Sequence, residues 1–264
     1  MGKIITVCNQ KGGTGKTTSA INIAVFLAVA GKKVMLIDLD PQANLSSGIG
    51  FSHQYDKESW DNKSKPQYKS IYNVLIEKEP IASVFVATSI PNLYLVPSHL
   101  SLAGAEIEMV NMLSRETLLK VAISQMKEKF DYIIIDCPPS LGLLTINALI
   151  AADKLLIPIQ CEYFALEGLG QLLETIKLIK SINPSLTIGG VILTMYDSRT
   201  KLSESVVKDV QEFFKDVVFD SIIPRNVRLS EAPSYGKSIV DYDPKSTGAL
   251  AYKKLAQEFI KRFA

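Results

Sequence analysis

The sequence predicts an α/β protein, a doubly wound and mostly parallel sheet with helices on both faces. Short β-branched apolar runs alternate with longer segments of helical period, a glycine-rich turn joins the first run to the first helix, and two runs end in aspartate. With 264 residues, 47% of them hydrophobic, the chain can bury a full core, and one domain over 1–264 is expected.

The predicted strands are "KIITVC", "KKVMLID", "NLYLVP", "DYIIID", "KLLIPI", "LTIGGVILT" and "VVFDSII". Their unbroken apolar character suits strands covered on both faces. "GKTTSAINIAVFLAVAG" reads as a helix closed by Gly31, "RETLLKVAISQMKEKF" as an amphipathic helix, and "LEGLGQLLETIKLIKSIN" as a helix ending before Pro184. The polar stretch 52–70, "SHQYDKESWDNKSKPQYKS", breaks this rhythm and reads as a surface insertion; it carries the only tryptophan, Trp60.

Lysine and arginine total 29 against 27 acids, a balance of +2, so any DNA-binding surface must be a local patch. Cys8, Cys137 and Cys161 are far apart in sequence and form no CxxC pair, which argues against a disulfide framework or zinc site and for small buried residues. No apolar run reaches the roughly 18 residues of a membrane span, and "MGKIITVCNQ" lacks a secretory leader's apolar core, so a cytoplasmic protein is expected. Thr6 fits a myristoylation pattern, but "GKIIT" is better explained as the first core strand.

"GGTGKTT" follows "IITVC" and opens a helix, the context a phosphate-binding loop requires. Gly12, Gly13 and Gly15, with Thr14 among them, let backbone N–H groups turn inward, and the helix N-terminus adds partial positive charge. Lys16 is placed to reach β- and γ-phosphates, the Thr17 hydroxyl to hold Mg2+, and Thr18 to contact the α-phosphate, so ATP and Mg2+ are the expected cofactors. Five residues before Gly15, where the ordinary motif has its first glycine, stands Gln10, followed by a second lysine, Lys11.

"VMLIDLDPQAN" ends a strand with Asp38 and Asp40 before turning at Pro41, and "FDYIIIDCPPSLG" ends another with Asp136. Carboxylates at the C-terminal edge of such a sheet lie on its ligand side. Asp136 is placed to meet Mg2+ through water, Pro138 and Pro139 stiffen the loop beyond it, and Asp131 reads as a turn residue.

The pattern KGGxGKT, with its leading lysine, resembles the deviant Walker A loop of ParA and MinD ATPases. "PIQCEYFALEGLGQLLETI" and "IIPRNVRLSEAPSYGKSIVDYDPKSTGALAYKKLA" resemble the short chromosomal ParA proteins called Soj. The resemblance implies an ATP-dependent homodimer in which Lys11 crosses to the nucleotide held by the other subunit. It implies that Asp40 orients the attacking water, that Asp38 supports the magnesium shell, and that Pro224 and Asn226 contact adenine. It further implies nonspecific double-stranded DNA binding through Arg199 and Arg228, both in predicted loops, with Lys201 and Lys237 nearby in sequence, and a ParB-like centromere-binding partner that accelerates hydrolysis. The expected role is chromosome or plasmid partition, with nucleoid association in the ATP state. Thr14 departs from the valine of many relatives. The chain as given starts at the first strand, so a helix-turn-helix extension and sequence-specific operator binding are not expected.

A MinD-like membrane-associated ATPase is the alternative. "ALAYKKLAQEFIKRFA" aligns Leu255, Phe259 and Phe263, with Lys254, Lys261 and Arg262 elsewhere, but a terminal helix packing Leu255, Phe259 and Ile260 on the sheet has the same pattern. An iron–sulfur reductase would need cysteines in other contexts, Cys137 being a weak candidate. A small-molecule ligase or kinase would need an acceptor pocket that no motif reveals.

Overall fold

The computed structural model describes residues 2–51, 68–163, 165–166 and 169–263; Trp60 and nearly all of the predicted insertion lie outside the described residues. The described chain runs β1 (Lys3–Val7), α1 (Lys16–Val29), β2 (Val34–Asp38), α2 (Asn44–Gly48), α3 (Ile71–Leu75), β3 (Val86–Ala87), β4 (Leu93–Val96), α4 (Leu102–Met109) and α5 (Leu118–Ile123). It continues through β5 (Tyr132–Asp136), α6 (Leu143–Ala151), β6 (Lys154–Gln160), α7 (Leu169–Ile179), β7 (Thr187–Thr194), α8 (Lys201–Phe214), α9 (Val227–Glu231), α10 (Ile239–Tyr242) and α11 (Thr247–Phe263). The sheet order is β3-β4-β2-β5-β1-β6-β7, all parallel except β3 against β4.

Alternate residues of the central strands feed two separate cores. Ile4, Ile37, Ile133 and Leu155 belong to one, Ile5, Leu36, Ile134 and Leu156 to the other, which is why these strands read as continuous apolar runs. α1 lies within the second core, burying Ala20, Ile23, Ala24 and Leu27. α11 packs against it and buries Tyr252, Leu255, Phe259 and Phe263. Truncating a buried phenylalanine such as Phe259 to alanine costs about 3–5 kcal/mol.

The apolar face of the C-terminal helix is therefore occupied by the core. Arg262, one of its basic residues, donates to the Val217 and Val218 carbonyls at 2.8 and 3.1 Å and stacks 4.0 Å over the Phe219 ring. Among the described residues no helix is long and apolar enough to cross a membrane. All three cysteines are buried; burial pushes the Cys161 thiol up to about 12, and burial together with Cys8 pushes Cys137 well up, the condition of inert structural thiols.

Three expectations need correction. "VVFDSII" is not a strand: it touches β7 by an isolated bridge, Val191 to Val218, and the N–H groups of Asp220 and Ser221 donate to Glu258 of α11 at 2.7 and 3.1 Å. A side chain thus takes donors that a ladder would have used. The seventh strand is instead the two-residue β3. The helix predicted over "RETLLKVAISQMKEKF" is reduced to α5 flanked by 3-10 turns, its Leu119 N–H capped by Asn147 of α6 at 3.1 Å. The predicted insertion is also shorter than 52–70, because Tyr68 packs edge-on against Phe51 and His99, and the buried Ser70 caps α3.

Candidate functional site

Three strand ends converge. Val7 of β1 is in register with Asp136 of β5, and Asp136 with Asp38 of β2, so the loop after β1 and both acids share the C-terminal edge of the sheet. Gly13 and Gly15 have φ of 73° and 81°, the left-handed region that favours glycine. Gly12 and Gly13 are exposed, and a Cβ at either would meet nothing within 4 Å. α1 begins at Gly15 without a side-chain cap, which leaves its first N–H groups for an anion.

The loop is held from outside. Asn9 Nδ2 donates to the Pro158 carbonyl at 2.7 Å and its Oδ1 accepts from Lys11 N at 3.1 Å. The Thr194 hydroxyl donates to the Thr14 carbonyl at 2.9 Å, and the Ser19 and Tyr252 hydroxyls are bonded at 2.9 Å. Within the loop, the Lys11 carbonyl accepts from Lys16 Nζ at 3.0 Å and from the Thr14 hydroxyl at 3.4 Å. Thr17 and Thr18 follow in the first turn of α1, with the Thr18 carbonyl accepting from Asn22 Nδ2 at 2.8 Å.

Lys16 is buried, and burial pushes its ammonium down while Asp136 is the main opposing influence. Asp136 is fully buried, and burial and then the neighbouring Asp38 push its carboxyl well above the usual range. The Thr17 hydroxyl lies near enough to favour its charged form, yet no hydrogen bond of standard geometry reaches either Asp136 oxygen. A buried carboxylate without partners is costly, so Asp136 and the Thr17 hydroxyl would suit a hard cation. Mg2+ takes one or two carboxylates plus substrate phosphates, a demand that Asp136 and the Thr17 hydroxyl could meet.

Asp38 differs from Asp136 although the two are paired. Its Oδ2 accepts from Ser46 N and the Ser46 hydroxyl at 2.8 and 2.6 Å, and its Oδ1 accepts from Asp40 N at 3.2 Å. Burial still raises its pKa to about 6, against the pull of the Ser46 bonds. Asp40 is buried, and its Oδ1 accepts from Gln42 N at 2.9 Å. Ser46→Ala removes the hydroxyl from Asp38 and is expected to destabilise the protein by about 2 kcal/mol, read from urea unfolding at neutral pH; an unchanged midpoint would show that this bond contributes nothing.

Pro224 forms an isolated bridge to Tyr196 beside β7. The side chain of Asn226 is engaged: Oδ1 accepts from Arg228 N at 2.9 Å, capping α9, and Nδ2 donates to Thr247 at 2.7 Å. Arg225 N donates to the Tyr196 carbonyl at 2.9 Å, which places the Arg199 turn beside the start of α9. Arg228 lies in α9 rather than in the predicted loop, because the Asn226 cap starts a helix there. Its guanidinium reaches Glu231 at 2.9 Å and Asp243 at 3.6 Å, while exposed Arg199 grips Asp197 through two nitrogens at 2.8 and 2.7 Å. Lys201 opens α8 next to Arg199. Lys237 lines an open cleft with Ser47, Phe51 and Tyr235.

The sequence offered no signal for Asn9, Ser46, Thr194 or Tyr252 as site residues. Only the spacing of Ser46 after Asp38 could have raised it, as a small polar residue in the following turn.

A lysine-bearing glycine loop between β1 and α1, facing strand-end acids in a parallel sheet, defines a P-loop ATPase. Residues 2–188 match an AAA-domain family. The sporulation initiation inhibitor protein Soj of Bacillus subtilis is 51% identical over 259 residues, 98% of each chain. The chromosome-partitioning ATPase Soj of Treponema pallidum is 49% identical over 263 residues, covering 99% of this chain and 98% of its own. The solved structure of cobyrinic acid a,c-diamide synthase from Mycobacterium smegmatis, with bound ATP analog and magnesium, matches with a TM-score of 0.83 at 35% identity, covering 99% of this chain and 95% of that one. The chain belongs to the Soj/ParA family of ATPases.

Proposed function

We propose that this ATPase is a partition switch for a chromosome or plasmid: an ATP-bound dimer holds nonspecific double-stranded DNA, and hydrolysis, accelerated by a ParB-like partner, releases it. The Soj relatives at 51% and 49% identity support partition over small-molecule synthesis, since the synthase shares only 35%. The observation that carries the nucleotide chemistry is the buried, unpartnered Asp136 beside buried Lys16 at the start of α1.

In this reading residues 1–264 form one domain in the cytoplasm, nucleoid-associated when ATP is bound. Lys16 and the N–H groups from Gly12 to Gly15 bind the phosphates, with Thr18 on the α-phosphate. Mg2+, held by Thr17 and Asp136, supplies charge compensation when bound. Asp40 orients the attacking water, and Asp38, whose oxygens accept from Ser46 and Asp40 N, fixes the turn that carries Asp40 and supports the magnesium shell from there. Pro224 offers a flat apolar surface to adenine; the committed Asn226 amide leaves the backbone of this turn for polar contact. Lys11 extends to the partner subunit's triphosphate, so two copies close around two nucleotides.

The DNA surface combines Arg199, Lys201, Arg228 and Lys237 from each copy, and phosphate contacts of this kind are blind to sequence. Arg228→Glu is expected to weaken binding to any duplex by at least about tenfold and to flatten its salt dependence while sparing the ATP dimer. Fluorescence anisotropy with two unrelated duplexes, each titrated with salt, checks this; unchanged affinity would remove Arg228 from the surface.

A further inference from the structure

The loop that follows Asp136 is held by a helix from another part of the chain. Gly142, just before α6, has φ of −74° and ψ of −174°, values open to any residue, so the backbone does not call for glycine there. Space does. A Cβ at Gly142 would fall 2.1 Å from Glu106 Oε1 and 2.9 Å from Glu106 Cδ. The room left by the missing side chain is filled by that carboxylate, whose Oε1 accepts from Leu144 N at 3.2 Å.

Glu106 projects from α4, which is anchored by buried Leu102, Ala105 and Met109. α6 has no side-chain cap from its own Gly142. A carboxylate from α4 satisfies one of its orphan N–H groups and places negative charge at the positive end of the helix. The segment between is pinned at both ends. Cys137 N donates to the Val7 carbonyl at 3.3 Å, next to the Asp136 register position, and the Thr145 hydroxyl donates to the Ser140 carbonyl at 2.7 Å. Pro139 and Ser140 in its middle are exposed.

We infer that Glu106 is a positioning residue for ATP hydrolysis: it fixes the 137–142 loop, and with it the rim of the site beside Asp136, without touching the nucleotide. This rests on the reading of Asp136 as the residue that serves the metal. The contact is sensitive in a specific way, because a methyl group at position 142 displaces a flexible side chain and leaves the fold in place.

The test is a double-mutant cycle on the full chain, with kcat at saturating ATP and the ATP Kd measured for Glu106→Ala, Gly142→Ala and the pair together. Each single change is expected to lower kcat about tenfold with Kd held within about twofold. The pair should be no worse than either single, since the methyl then enters space the carboxylate has left. Glu106→Gln, which keeps an acceptor for Leu144 N, should retain most of the turnover. Effects that multiply in the pair, singles that match the parent, or losses that appear in Kd alone overturn the role of Glu106. Asp136→Asn, measured alongside, separates the two layers: if it keeps full Mg2+-dependent turnover, the reading of the metal site fails, whereas a multiplying cycle with inactive Asp136→Asn removes only the Glu106 inference.

Discussion

Lys16→Ala is expected to lose ATP affinity by at least about a hundredfold, since charge-assisted contacts to phosphate are among the strongest available hydrogen bonds. The structure sharpens the reason. Lys16 is the buried cation facing Asp136 at the site's floor, and its ammonium already donates to the Lys11 carbonyl. Removing it deletes a phosphate ligand and leaves Asp40 and Asp136 without their shared positive neighbour, so the cavity becomes repulsive to a polyanion. Isothermal titration with a nonhydrolysable ATP analog reads the loss, and the ligand-free melting temperature checks that the fold persists. Near-parental affinity in a folded Lys16→Ala protein would mean the triphosphate lies elsewhere.

Asp40→Ala is expected to separate binding from chemistry. The side chain is anchored by Gln42 N at one oxygen and stands at the end of a turn fixed by Asp38 and Ser46. A carboxylate held in this way can orient water at little reorganisation cost, and losing it should lower kcat by about a hundredfold or more, roughly 2.7 kcal/mol of barrier. ATP affinity should stay within about threefold, because no phosphate contact is removed. Single-turnover hydrolysis with quantified bound nucleotide distinguishes the cases: a protein that loses binding and turnover together would make Asp40 a nucleotide ligand instead.

The parts legible in sequence are those whose chemistry is local. Gly13, Gly15, Lys16 and Thr17 fall within one turn of chain, and their spacing alone requires a phosphate loop at the head of a helix. The central strands were legible because burial on both faces leaves no polar residue to break the run. What supports the loop was not legible: Asn9 answers to Pro158, Thr14 to Thr194 and Ser19 to Tyr252, partners that only the sheet order and the return of α11 bring near. Glu106 and Gly142 are ordinary residues until α4 and α6 are packed. "VVFDSII" misled for a related reason, since β-branched character cannot reveal that Glu258 will take two of its N–H groups. Arg199 and Arg228, which the proposed DNA surface uses, were visible only as residues; their pairing with Asp197 and Glu231 needed the turns beside β7 in place.

In the proposed switch, Lys11 joins two copies through ATP. Multi-angle light scattering of Asp40→Ala with ATP, compared with the same protein carrying Lys11→Ala as well, tests this most directly. The predicted masses are twice the 29.0 kDa chain for the first and a single chain for the second. Equal masses for the two proteins at saturating ATP, whether both single or both double, would contradict it.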